Sequence, residues 1–217
     1  VSESVFPVTG RSSEAIAERR RAAIAGHVGD SDTARSLLGS SEPKVRATAL
    51  GALNRLGHLE RDELLTALAD NDTGVRRRAC EEATRWNGGV DDPLPIEVAE
   101  ALRLRLFDDE TAVIETAAWA CGERPPVAPE TLDRLIELAT GHEDALCRES
   151  AVAALGAVGD PRGLPAILTA TRDKATVRRR AVIALAPFDG PEVEAAIESA
   201  RSDRDWQVRQ AAEDLSS

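Results

Sequence analysis

Tyrosine and methionine are absent from this 217-residue chain, and aromatic side chains of every kind make up only 3% of it. A core with 42% hydrophobic residues must then be built from Ala, Leu, Val and Ile, a composition that favours helices over a β-sandwich. Lysine is nearly missing as well, with only Lys44 and Lys174 among 27 basic residues. Basic side chains are in turn outnumbered by 38 acidic ones, for a net charge of −11. That balance disfavours broad electrostatic capture of nucleic acid or of an anionic membrane, and leaves room for a local basic patch. The three cysteines, Cys80, Cys121 and Cys147, form no CxxC pair, so neither a disulfide framework nor a zinc site is expected. They read as small buried thiols of a cytoplasmic protein. No run of about eighteen apolar residues occurs, and residues 1–10 have no basic stretch leading into an apolar one, so neither a membrane span nor a signal peptide is expected.

What is present is a repeat. An acidic residue, then Val-Arg, then Ala four residues after the Val recurs as Val45-Arg46 with Ala49, Val75-Arg76 with Ala79, and Val177-Arg178 with Ala181. Val208-Arg209 with Ala212 continues it, and Val113-Ile114 with Ala117 and Cys147-Arg148 with Ala151 are variants. Spacings of 30, 38, 34, 30 and 31 residues between the Val positions hold register over six copies, which chance alternation does not do. Second apolar stripes lie between the copies, among them Leu64, Leu65 and Leu68, and Leu132, Leu135 and Ile136. Each repeat is therefore predicted to be a helical hairpin.

Punctuation agrees. Gly57, Gly88-Gly89, Gly159 and Gly190-Pro191 are placed to stop helices, and Asp62, Glu130 and Glu192 to open them. Insertions around residues 91–95 and 124–129 account for the two longer spacings, and a degenerate first copy falls at residues 14–28. The expected organisation is an N-terminal tail, residues 1–13, followed by one array over residues 14–217.

The runs that start at Lys44, Arg148 and Thr176 resemble HEAT repeats of the short bacterial type, the PBS lyase HEAT-like class. The resemblance covers residues 41–217. It implies an all-α, armadillo-like α-solenoid, a right-handed superhelix of about six to seven hairpins, whose second helices line a concave face. For function it implies a scaffold with protein partners, since the enzymes of the class add catalytic residues of their own.

Arg triplets at 19–21, 76–78 and 178–180 invite a phosphate reading, but the first Arg of the last two is the repeat's own position. Acids three residues before the Val (Glu42, Asp72, Glu110, Asp144, Asp205) fit helix N-caps, and the Arg residues fit partners for acids of a neighbouring repeat. Carboxylate pairs at the turns, such as Asp70 with Asp72, lack the Gly and the later bidentate acid of a calcium loop. The HEAT-like iron enzymes use His-Glu pairs on the helix that here holds Arg148-Glu149, whereas His142-Glu143 falls in the turn before it. No GxSxG, P-loop, HExxH or GxGxxG is present. No catalytic residue, metal or cofactor is expected.

At 100° per residue from the repeat Val, core positions +4, +7, +8 and +11 cluster between roughly −20° and 80°, and +6 points away at about 240°. Position +6 reads Glu81, Trp119, Ala153 and Ile183, with Arg77, Glu115, Glu149 and Arg179 at +2. These eight residues are the candidate partner-binding site, with Trp119 as anchor for a protein or peptide segment; the alternative for Trp119 is that the insertion at Pro125–Pro129 folds back and buries it as core. Small residues at +9, Gly122 and Gly156, are expected to leave room beside it, while Trp86 and Trp206 read as structural. Two other readings stay open: binding of nucleic acid or a phospho-ligand through Arg77, Arg78, Arg85, Arg179 and Arg180, and a subunit of a lyase-type enzyme. Nucleic acid is the less expected partner.

Overall fold

The computed structural model describes residues 9–86 and 93–215. Most of the expected tail, the Gly88-Gly89 stop and the start of the 91–95 insertion lie outside the described residues. Among those described, every regular element is helical. Unit 1, residues 1–88, holds α1 (Thr9–Val28), α2 (Ser31–Ser36), α3 (Pro43–Leu56), α4 (Arg61–Leu68) and α5 (Thr73–Ala83). Unit 2, residues 89–217, holds α6 (Ile96–Arg105), α7 (Thr111–Glu123), α8 (Pro129–Gly141), α9 (Ala145–Val158) and α10 (Leu164–Ala170). It continues through α11 (Ala175–Ala184), α12 (Pro191–Ala200) and α13 (Trp206–Asp214). The sequence predicts one array over 14–217; the helices gather into two compact units, and the division at residue 88 falls in the longest of the repeat spacings. Helix α1 also starts at Thr9, inside the segment expected as tail.

Local chemistry explains the boundaries. Pro43, Pro129 and Pro191 open α3, α8 and α12, where a missing N–H costs nothing. Asp72, Asp144 and Asp205 accept the backbone N–H groups of Val75, Leu146 and Gln207 at the starts of α5, α9 and α13. Glu42 and Glu110, at the same register, make no such bond. Gly57 and Gly159 end α3 and α9 at φ of 71° and 68°, the left-handed region that a glycine enters without strain.

The Val-Arg helices form one layer in each unit: α1, α3 and α5 pack in series, and so do α7, α9, α11 and α13. Behind them, α4 packs on α5, α6 on α7, α8 on α9, α10 on α11 and α12 on α13. The repeat Val or Cys and the Ala at +4 are buried in all six copies. Leu50, Leu53, Leu64 and Leu68 are fully buried in unit 1, each contributing roughly 2 kcal/mol of transfer free energy. Position +5 is buried too, as Leu50, Cys80, Ala118, Val152 and Val182, although at about 140° it lies outside the arc predicted as core. Val182 packs with Val208, Ala211 and Ala212 of the next helix in the layer. Each layer helix is thus covered on two sides, by its hairpin partner and by its neighbour in the series.

The glycines at +9 belong to that second contact. A Cβ on Gly122 would sit 2.8 Å from Ala154 Cα, and one on Gly156 2.7 Å from Ala184 Cα. Their role is close approach of α7 to α9 and of α9 to α11, which corrects the expectation that they leave room for a partner. At the same register α3 has Asn54, whose amide donates to the Glu82 carbonyl oxygen and carboxylate of α5 at 2.9 and 2.5 Å.

Candidate functional site

The arginine ladder takes shape first, because it decides which charges are free to meet a partner. Arg148 forks onto Asp173 with bonds of 2.6 and 2.8 Å, and Arg178 onto Asp203 with bonds of 2.8 and 2.7 Å. Arg46 does the same to Asp70 in unit 1, at 2.8 and 2.7 Å. The third nitrogen of each guanidinium donates to a backbone carbonyl of the turn before its own helix, Arg46 to Ser40, Arg148 to His142 and Arg178 to Asp173. Each Arg therefore ties two successive turns together. The carboxylate pairs divide the work: Asp70 and Asp203 take the Arg and the N–H of Asp72 and Asp205, which in turn cap the next helix. Turn formation occupies these carboxylates. The hydrogen bonds from Arg148 and Arg178 hold Asp173 and Asp203 below the usual carboxylate range; at Asp70 burial pulls upward most strongly, but Arg46, the Asp72 N–H and the charge of Arg76 together leave the group lowered.

With those charges consumed, the open face of α7, α9 and α11 carries Trp119, Ala153 and Ile183 one after another. Trp119 is 37% exposed and Ile183 36%, with Ala153 half-buried between their helices in the layer. The segment after α7 leaves the indole open. Glu115 and Glu149 are half-buried, Glu149 within 3.7 Å of Arg180, and Arg179 is exposed with no ion pair among the described residues. Arg77 and Glu81 belong to unit 1, where they pair with each other at 2.7 Å, and Arg78 pairs with Glu82. Six of the eight predicted residues therefore share one layer of unit 2, and two lie on the layer of unit 1.

Two exposed apolar residues escaped the sequence reading. Leu146, 54% exposed, sits at position −1, about 260° around the helix and so beside +6. The register already placed it there. Trp206, read as structural, is 65% exposed at the first turn of α13, and its turn position gave no such signal. With Ile183, Arg179, Gln210, Asp214 and Leu215 it lines a cleft of about 490 Å³ between α11 and α13. Trp86, by contrast, is buried as predicted, its indole N–H donating to the Leu59 carbonyl at 2.8 Å.

No three His, Cys, Asp or Glu side chains converge as a metal site among the described residues. His142 stands in the turn before α9 and accepts the Asp144 N–H through Nδ1. Cys80, Cys121 and Cys147 are buried and in no disulfide. Burial pushes the Cys121 thiol up to about 12, and burial with the charges of Asp144 and Glu115 pushes Cys147 up to about 11. At pH 8 only about one Cys121 in ten thousand is thiolate, so a disulfide reagent should leave Cys121 and Cys147 unmodified until denaturant is added. Prompt labelling of either in the native protein would contradict their burial.

A family model described as HEAT repeats matches residues 99–186. Among solved structures, an engineered protein superposes with a TM-score of 0.63 at 19% identity, over 86% of this chain and 96% of that one. YibA of E. coli gives 0.61 at 15% identity over 97% and 75%. A designed armadillo repeat protein, solved in complex with the peptide (KR)4, gives 0.56 at 18% identity over 91% and 96%. These likenesses show the fold. Among curated proteins none matches the sequence.

Proposed function

We propose that this chain, a HEAT-repeat protein of α-solenoid fold, is a non-enzymatic scaffold that seats a protein segment on the open face of α7, α9, α11 and α13. The observation that carries the reading is the line of Trp119, Ala153 and Ile183 on three successive helices, continued by Trp206 at the cleft. Two exposed indoles on one small domain are costly to leave in water and are the side chains most used as binding anchors. Charged groups accompany the line: Glu115, Glu149 and Arg179 flank it at +2 of their helices, and Asp214 stands at +6 of α13. A designed armadillo repeat protein of similar fold was solved in complex with the peptide (KR)4, so an array of this kind has the reach for a short peptide. No helix among the described residues is long and apolar enough to cross a membrane, and three cysteines outside any disulfide fit a cytoplasmic setting.

The test is a peptide selected against the chain from a random library, with affinity measured by calorimetry. Trp119→Ala should weaken it by roughly thirtyfold, the equivalent of about 2 kcal/mol, and Ile183→Ala by less. The unfolding midpoint should move only slightly, because a half-exposed side chain leaves no closed cavity. Unchanged affinity in both variants would move the binding surface elsewhere.

A further inference from the structure

The net charge of −11 is not shared between the units. Residues 1–88 hold 13 basic and 13 acidic side chains, so the whole excess of acid lies in residues 89–217. Within unit 1 the cations are also gathered. A groove of about 410 Å³ along α1, α3 and α5 is lined by Arg19, Lys44, Arg55, Arg77 and Arg78. Asp72 is the one carboxylate in its lining among the described residues, and its side chain is taken by the Val75 N–H.

These cations are of two kinds. Arg77 and Arg78 carry their own carboxylates on α5, Glu81 and Glu82. Arg19, Lys44 and Arg55 have no ion pair among the described residues. The Arg19 side chain is nonetheless positioned: its Nε donates to the Thr48 hydroxyl at 3.3 Å, and that hydroxyl donates to the Lys44 carbonyl at 2.7 Å. Its two terminal nitrogens stay available. Gly51 keeps the floor low, since a Cβ there would meet the Arg78 guanidinium. The first turn of the 14-residue helix α3 borders the groove through Pro43 and Lys44, with no side-chain cap, and its dipole adds to the positive field.

We infer that this groove binds a short acidic segment of a protein, whose carboxylates take the free nitrogens of Arg19, Lys44 and Arg55. Charge complementarity selects an anion, and the lining selects among anions. Among the described residues His27 is the one aromatic ring in the lining, a smaller platform for stacked bases than Phe or Trp would give. The groove's five cations match a short anion, and the net charge of −11 on the chain as a whole disfavours a long polyanion. Three helices packed about 10 Å apart span about 20 Å, or roughly six residues of extended chain. The inference stands apart from the apolar face of unit 2, with which it shares no residue.

The experiment uses the full chain and a fluorescein-labelled octapeptide of alternating Glu and Ser, read by fluorescence anisotropy. The octapeptide should bind, an all-Ser octapeptide should not, and raising salt from about 0.05 to about 0.5 M should weaken binding at least fivefold or so. Lys44→Glu with Arg55→Glu should reduce affinity by roughly thirtyfold. Lys44→Ala with Arg55→Ala, whose fold is checked by circular dichroism, should reduce it by roughly tenfold if the reversal variant fails to fold. Trp119→Ala should leave it unchanged, so this result and that of the apolar face can fail separately. Equal affinity in the wild type and the Lys44 and Arg55 variants, loss of binding in Trp119→Ala, or tighter binding of a single-stranded oligonucleotide of equal length would each overturn the assignment.

Discussion

Gly156→Leu is expected to lower the unfolding midpoint by roughly 6–12 °C, the equivalent of about 3 kcal/mol for a chain of this size. The reason is the atom that the new side chain would strike. A Cβ at position 156 falls 2.6 Å from Ala184 Cβ, 2.7 Å from its Cα and 3.0 Å from its carbonyl oxygen. Backbone cannot swing aside as a side-chain end can, so α9 and α11 would have to part, and with them the packing of Val152 and Leu155. Gly141→Leu is the control: nothing lies within 4 Å of a Cβ there, and the same bulk should cost little. Equal effects of the two substitutions in thermal unfolding would mean that the α9–α11 crossing is not the tight contact described.

Asp203→Ala should cost about 3 kcal/mol, because it strands a guanidinium whose side chain is only 7% exposed. Arg178 would keep its bond to the Asp173 carbonyl and lose both bonds to the carboxylate. Most of the cost is the uncompensated charge, so Arg178→Met combined with Asp203→Ala should be more stable than Asp203→Ala alone. A double variant less stable than the single one would show instead that the pair contributes chiefly through its hydrogen bonds. The same ladder sets an acid limit. Asp70, Asp173 and Asp203 titrate below their ordinary value in the folded chain, so the unfolded state binds protons first as pH falls. Their contribution is complete above about pH 5 and is lost as pH drops through about 4 and below. Denaturant midpoints measured from pH 7 down to pH 3 should therefore fall steeply only in the last two units, and less steeply in the double variant.

The register that predicted these pairs was legible because helical periodicity is local. From Val45 to Val208, the repeat Val or Cys and the Ala at +4 are buried wherever the pattern placed them, and Trp86 is buried at +11. The exposure of Trp119 and Ile183 follows from the same 100° arithmetic. The expected link to a neighbouring repeat is present for Arg46, Arg148 and Arg178, but where the turn holds two acids the acceptor is the first, Asp70 or Asp203, and the predicted N-cap acid is the second. Sequence spacing does not separate two carboxylates two residues apart when both point into one turn.

What the sequence by itself determined is therefore the hairpin, its capped ends and the inward stripe of each layer helix, all consequences of contacts within a few residues of one another. The tertiary structure alone decided what happens on the flanks of that stripe. Burial at +5, the close approach at Gly122 and Gly156, the exposed Trp206 and the collection of Arg19, Lys44 and Arg55 in one groove depend on helices about 30 residues away in the chain. A 3.6-residue period says which way a side chain points; only the neighbouring helix says whether water or another chain segment is there to meet it.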